Sequence, residues 1–412
     1  MGAIDPSDRD PAPDAHPRWS VFWAAFWQPP RPHGDVDRER SVSFLELFYD
    51  LVFVVVISRA THALALDVTW EGAGEFAVLF GLIWVAWLNG TLYHELHGRE
   101  DGRSRTMVFA QVTVLAVLAV YTGEASGATA TGFAVTYSVL LVVIGYLWWS
   151  VRRVDAPEDR DLSTGYVVGI ALNVVVMLAS AGLPDGWREA VWALVVVAWV
   201  VGPTLRMAHT GGLGASLDLG LTDSLVERFG LFIIIVLGEV VVGVVDGLSE
   251  VDRTPETLGC GVLALMAGFG FWWTYFDALG PRLPRSTGLA PGVWIYANLP
   301  MSLAIAAGGA GMVSLVEHAA DVATPAPTAW LVSGSVALFL LAVVVGRATL
   351  ADDGRPHPPA RALSVALVVG ALAALAVGAW APAPWVLAGA LALILFTGWG
   401  WAVRATLGAA AR

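Results

Sequence analysis

Apolar stretches of about twenty residues recur along almost the whole chain, separated by short polar joints. Twelve such stretches can be marked, at 43–66, 74–97, 104–122, 128–150, 162–182, 188–207, 224–248, 256–279, 290–316, 327–346, 361–380 and 383–404. At 1.5 Å per residue, each is long enough to cross a hydrocarbon core of ~30 Å. A single segment can do so only as a helix, because no other conformation satisfies its own backbone polar groups in lipid. The pattern predicts an all-α polytopic membrane protein of about twelve transmembrane helices. The last two spans, Ala-rich and joined by Ala-Pro-Ala-Pro at 381–384, form the weakest-marked hairpin.

The polar ends divide the chain further. Residues 1–42 form a Pro-, Asp- and Arg-rich tail, unlike a cleavable signal peptide. Within it Trp19, Phe22, Trp23, Phe26 and Trp27 fall on one helical face, between Pro17 and Pro29-Pro30. Such a stripe suits a helix lying in the headgroup region or one packed on the protein's own surface. A first half over 43–207, a linker over 208–223, a second half over 224–404 and a short tail over 405–412 complete the organisation.

The two halves carry short matches in the same order. Glu46-Leu47-Phe48 is echoed by Glu227-Arg228-Phe229, and Tyr93-His94-Glu95 by Tyr275-Phe276-Asp277. Phe109-Ala110-Gln111 is echoed by Tyr296-Ala297-Asn298. Six spans per half give both halves the same orientation. Two parallel repeats about an axis along the membrane normal are therefore expected.

Composition sharpens this reading. The chain has 412 residues, 57% hydrophobic and 14% charged, against about 25% charged in an ordinary soluble domain. All 23 basic residues are arginine, which removes Schiff-base and P-loop lysine chemistry. Nineteen of them fall on the face that holds both termini, and Arg188 and Arg253 alone on the other. Arginine-rich loops stay cytoplasmic, so both termini are expected inside a bacterial inner membrane. A net charge of −12 speaks against nucleic-acid binding. Cys260 is the sole cysteine, so no internal disulfide or cysteine-built metal site is available.

Charges inside spans need a partner, a wet cavity or a place near the surface. Glu46 and Asp50 share one face of span one near its cytoplasmic end, as a proton or cation site or as caps and partners of Arg38, Arg40 or Arg228. Arg59 and Glu239 lie about 22–24 Å into spans one and seven, at one depth. A buried ion pair across the repeat interface is expected there, as a static lock or a gate. Tyr93, Glu95, Tyr275 and Asp277 are expected at the two inner mouths, and Gln111 and Asn298 at matching repeat positions. His94-Glu95-x-His97 lacks the one-turn histidine spacing of a zinc helix, so no metal is expected. No cofactor motif or nucleophile–base set stands out, which leans away from an enzyme. The expected partners are the bilayer and a small solute or ion.

The run from Ser43 to Val54, Ser-Phe-Leu-Glu-Leu-Phe-Tyr-Asp-Leu-Val-Phe-Val, is similar to the opening signature of the bacterial low temperature requirement A family. The run from Glu227 to Glu239 resembles that family's second signature, and Trp272-Trp273-x-Tyr275-Phe276-Asp277 fits it too. The likeness covers roughly residues 41–400. It implies a polytopic bacterial membrane protein linked by name to growth in the cold, and brings no defined activity. Relatives tend to carry a histidine where Asn298 stands here, so any proton handling by that histidine is lost in this chain. The signatures fall on Glu46, Asp50, Glu227, Arg228, Glu239 and Asp277. The leading reading is solute or ion passage through a polar cleft between the halves; the alternative is a protein that senses or adjusts the bilayer.

Overall fold

The computed structural model describes residues 19, 22–23, 26–34, 42–209, 221–352 and 360–410. The predicted linker and the far N-terminal tail lie largely outside these residues. The described chain forms long helices with no strand among the described residues. They are α1 (Phe44–Leu66), α2 (Trp70–His97), α3 (Gly102–Thr122), α4 (Ala130–Arg152), α5 (Arg160–Ser180) and α6 (Trp187–His209). After the linker come α7 (Asp223–Glu250), α8 (Pro255–Ala278), α9 (Ala290–Glu317), α10 (Ala326–Arg347), α11 (Ala360–Trp380) and α12 (Pro384–Ala410). Each coincides with one apolar stretch of the sequence.

Their ends follow local chemistry. Ser43 starts α1 with a capping box, its hydroxyl accepting from the Glu46 amide while the Glu46 carboxylate accepts from the Ser43 amide. Thr69, Asp101, Thr222 and Thr254 are the N-caps of α2, α3, α7 and α8, each with a side-chain oxygen accepting from a first-turn amide. Pro300 lies inside α9 and Pro203 inside α6, where each removes a backbone donor.

Among the described residues, ten helices are long and apolar enough to cross a membrane. Helix α1, with Glu46, Asp50 and Arg59, is not among them, and the described apolar part of α12 runs from Pro384 to Thr397. The outward faces are apolar: Val117, Val120, Leu172, Val175, Leu194 and Val197 are all exposed. Water would not tolerate so wide an apolar surface, whereas acyl chains cover it. The protein is a multi-pass helical membrane protein.

Helices α2 and α9 occupy the centre. In their apolar windows 89% and 78% of residues are buried, against 17% in α6. Helix α9 touches α1, α2, α6, α7, α8, α10 and α12, so it joins the two ends of the chain. Helices α7 and α9 approach closely at Gly243 and Gly309. A Cβ on Gly309 would fall 2.8 Å from the Glu239 carbonyl carbon. Small residues at such a crossing let two backbones meet, which is how helices associate tightly in lipid.

Candidate functional site

Two polar groups lie at different depths along α1 and α7. The inner one is built from the first two turns of each helix. Arg228, completely buried, donates from Nη2 to Asp50 Oδ1 at 2.7 Å and from Nε to Oδ2 at 3.3 Å. Its Nη1 lies 3.7 Å from Glu46 Oε1. The Trp87 indole on α2 donates to Asp50 Oδ1 at 2.8 Å, and the ring stacks on Phe232. One guanidinium thus serves two carboxylates, and Glu46 also keeps its capping role. Of the two readings open for Glu46 and Asp50, the geometry is that of partners to Arg228. The planar fork of arginine makes the two-point grip on Asp50 that a lysine could not.

Glu95 reinforces the same end. It is buried at the end of α2, where the Ser224 hydroxyl donates to its Oε1 at 2.7 Å and Thr222 hydrogen-bonds to it as well. Thr222 is the N-cap of α7 and Ser224 lies in its first turn. The carboxylate therefore sits at the positive end of that helix dipole. Sequence reasoning placed Glu95 at the mouth but missed Thr222 and Ser224, whose hydroxyls look like ordinary capping residues until α2 is brought beside them.

A strap from the N-terminal tail crosses these ends. Gln28 N donates to Asp101, Arg31 N to the His97 carbonyl at 3.1 Å, and Arg31 Nη2 to the Glu95 carbonyl at 2.9 Å. His97 Nδ1 lies 2.9 Å from the Arg31 carbonyl, which uses this histidine in a backbone clasp. Farther along, His33 N donates to Asp155 Oδ1 at 2.9 Å in the α4–α5 joint. Burial there pushes the Asp155 carboxyl above its ordinary range. The aromatic stripe before the strap stays exposed, from Trp19 to Trp27, with Phe26 against Gly102.

The outer group differs in kind. A cavity of about 220 Å³ between α1, α7 and α9 is lined by Ser58, Arg59, His62, Glu239, Asp246 and Gly309, among others. Arg59, His62 and Asp246 are exposed at its rim and Glu239 is buried at its base. The expected Arg59–Glu239 ion pair does not form. The polar neighbours of Glu239 are the Ser58 hydroxyl and the Asp246 carboxylate, while Arg59 reaches toward Gly123 at the end of α3. Adjacent residues on a helix point about 100° apart at 3.6 residues per turn. It is Ser58 that turns toward α7, and Arg59 turns away.

Between the two groups the packing is apolar. Phe53 and Ile57 of α1 and Phe232 and Val236 of α7 are all buried there.

The remaining predicted residues scatter. Glu227 is exposed, one position from buried Arg228. Tyr93 is buried, in edge-to-face contact with Trp148. Tyr275 donates to Asn298 Oδ1 at 2.9 Å inside the second half, rather than lining a mouth. Asp277 is exposed and accepts from the Trp273 indole at 2.8 Å. Gln111 and Asn298, both buried, each donate to the carbonyl one turn back, Met107 and Trp294. No group of three metal-binding side chains occurs among the described residues.

An uncharacterised protein of Rhizobium meliloti (strain 1021) is 27% identical to this chain over 246 residues, which is 58% of the chain. The match spans 59% of that relative's length. No solved structure matches the chain. The bacterial low temperature requirement A family matches over residues 41–398, a range that holds the inner charged cluster, the outer cavity and every helix through α11. The chain belongs to the bacterial low temperature requirement A family.

Proposed function

We propose that the protein binds a small solute or ion in the outer cavity and moves it across the membrane, with Glu239 as the binding carboxylate. The observation that carries this reading is a buried acid in a cavity whose charged rim, Arg59, His62 and Asp246, is exposed. An acid kept in an apolar bundle without an arginine partner has a cost that a bound cation or proton offsets. At the other end of α1 and α7, Arg228 bonds Asp50 and Ser224 bonds Glu95 of α2, so on this reading that end is the closed side. Proton coupling follows if Glu239 exchanges a proton for the solute.

The proposal includes a twelve-span chain of two parallel six-helix repeats in the inner membrane, with both termini cytoplasmic. Neighbour relations support the repeats. The contacts α1–α2, α1–α3, α2–α4, α2–α6, α3–α4, α4–α5 and α5–α6 each have a counterpart six helices later. The two halves differ in that α9 packs into the first half while its mate α3 faces outward.

Reconstitution into liposomes loaded with proton- and cation-sensitive dyes tests the function. Wild type is expected to pass a cation or protons, and Glu239→Gln to abolish the signal while leaving the fold intact. Equal flux in both proteins would remove Glu239 from the pathway. A second reading, a bilayer sensor active in the cold, draws on the exposed aromatic stripe at Trp19, Phe22, Trp23, Phe26 and Trp27. Deleting residues 1–27, which removes the stripe and keeps the strap at Gln28, Arg31 and His33, separates the two, since a transporter keeps its flux and a sensor loses its function.

A further inference from the structure

We propose that the rim formed by the end of α4 and the start of α5 is a binding site for the phosphate headgroup of an anionic phospholipid. A cavity of about 360 Å³ there is lined by Trp149, Arg152, Arg153 and Arg160. Three guanidinium groups therefore meet one space whose lining holds no carboxylate. None of the three arginines forms an ion pair with a described residue within 4.0 Å. Four acids lie close by in the chain, Asp155, Glu158, Asp159 and Asp161, and none of them lines the cavity. Asp155 accepts from His33 N, and Glu158 is exposed in the short turn before α5.

The arginines are also held in place. The Arg153 guanidinium lies 3.7 Å from the centre of the Trp149 ring, a cation–π contact that fixes the side chain. Arg160 Nε donates to the Asp155 carbonyl at 3.1 Å, which anchors that guanidinium and leaves its remaining N–H groups for a ligand. Planar guanidinium forks match phosphate oxygens two at a time.

A lipid rather than a soluble anion is indicated by what lies next to the pocket. Val135, Val139, Val142, Tyr146 and Trp149 are exposed at spacings of three and four along α4, a continuous apolar track that leads into the arginines. An acyl chain fits the track while its phosphate meets the guanidinium groups. Clustering of arginine at a membrane rim follows from orientation alone. Convergence of three on one cavity, with a tryptophan beneath, does not. Basic pockets between membrane helices bind such headgroups. This site is independent of the transport reading, since it touches neither the outer cavity nor the Asp50 cluster.

Native mass spectrometry of the full-length protein in mild detergent tests it, with dioleoyl phosphatidylglycerol, dioleoyl phosphatidylcholine and inorganic phosphate as separate probes. Phosphatidylglycerol is expected to bind more tightly than phosphatidylcholine. Each arginine removed is expected to weaken it about fivefold, and the R152Q/R153Q/R160Q triple variant about a hundredfold. R253Q, on the opposite face, is expected to bind as wild type does. The triple Arg→Lys variant is expected to keep part of the preference, because charge remains while the fork is lost. Should the triple variant fail to fold, the three single variants decide, each read against R253Q. Equal binding of the two lipids overturns the proposal, as does an undiminished preference in the glutamine variants. Displacement of phosphatidylglycerol by inorganic phosphate at micromolar concentration would mark a soluble-anion site and overturn it too.

Discussion

Arg228 neutralises two acids on another helix with a single side chain, in a place where water does not reach. Removing one partner of such a buried group leaves an uncompensated charge, at a cost of about 3–5 kcal/mol. Arg228→Leu is therefore expected to lower the thermal midpoint of the purified protein sharply. The double variant Asp50→Leu/Arg228→Leu is expected to recover part of the loss, because the buried acid goes with its arginine. A double variant as unstable as the single would show that Asp50 is not the group left stranded. Trp87→Phe removes a hydrogen bond to a charged acceptor and is expected to cost about 1.5–3 kcal/mol in the same melt. The residues of this cluster were partly legible in the sequence. Glu46, Asp50 and Arg228 stand out because charge inside an apolar run is costly. Trp87 did not stand out, since one indole among nineteen tryptophans carries no mark of the partner it will meet.

Helix existence was the most legible property at the level of elements. Hydropathy alone located all of α1 to α12, and capping residues such as Ser43 and Thr222 explain where several begin. What hydropathy does not encode is rotation about each helix axis. Pairing Arg59 with Glu239 used the correct depth and the wrong face, and one residue of rotation was enough to exchange Arg59 for Ser58. Gln111 and Asn298 show the same limit from the other side. Both bond one turn back along their own helices, as the repeat register suggests, yet only Asn298 receives a tyrosine hydroxyl from the neighbouring helix. The α7–α9 crossing gives a prediction at this scale. Gly309→Val places side-chain carbons against the Glu239 backbone and is expected to cost about 1–3 kcal/mol by overpacking. It is also expected to shift Glu239, so solute binding should fall together with the melting midpoint. Gly334→Val, where the added atoms meet open space, is the matched control.

For the molecule as a whole, sidedness can be read with a single thiol at a time. Cys260 is the only cysteine and is buried, so a Cys260→Ala background accepts introduced cysteines cleanly. In intact cells, Asp185→Cys and Asp252→Cys are expected to react with a membrane-impermeant maleimide. Glu158→Cys and Arg285→Cys are expected to react only after permeabilisation. Labelling of both pairs from one side would break the alternation on which the repeat reading depends. Arginine counts predict this orientation from sequence, whereas they carry no sign of the tail strap. Arg31 and His97 are joined through backbone carbonyls, which leave no trace in residue type.

The glycine crossing has a mechanical consequence. Where Gly243 and Gly309 bring two main chains together, α7 and α9 are welded into one stiff body, and sliding them apart would open a void with nothing to fill it. Breathing of the vestibule then belongs to its third wall. If the vestibule opens as proposed, α1 is the wall expected to move, with its foot pinned where Asp50 meets Arg228.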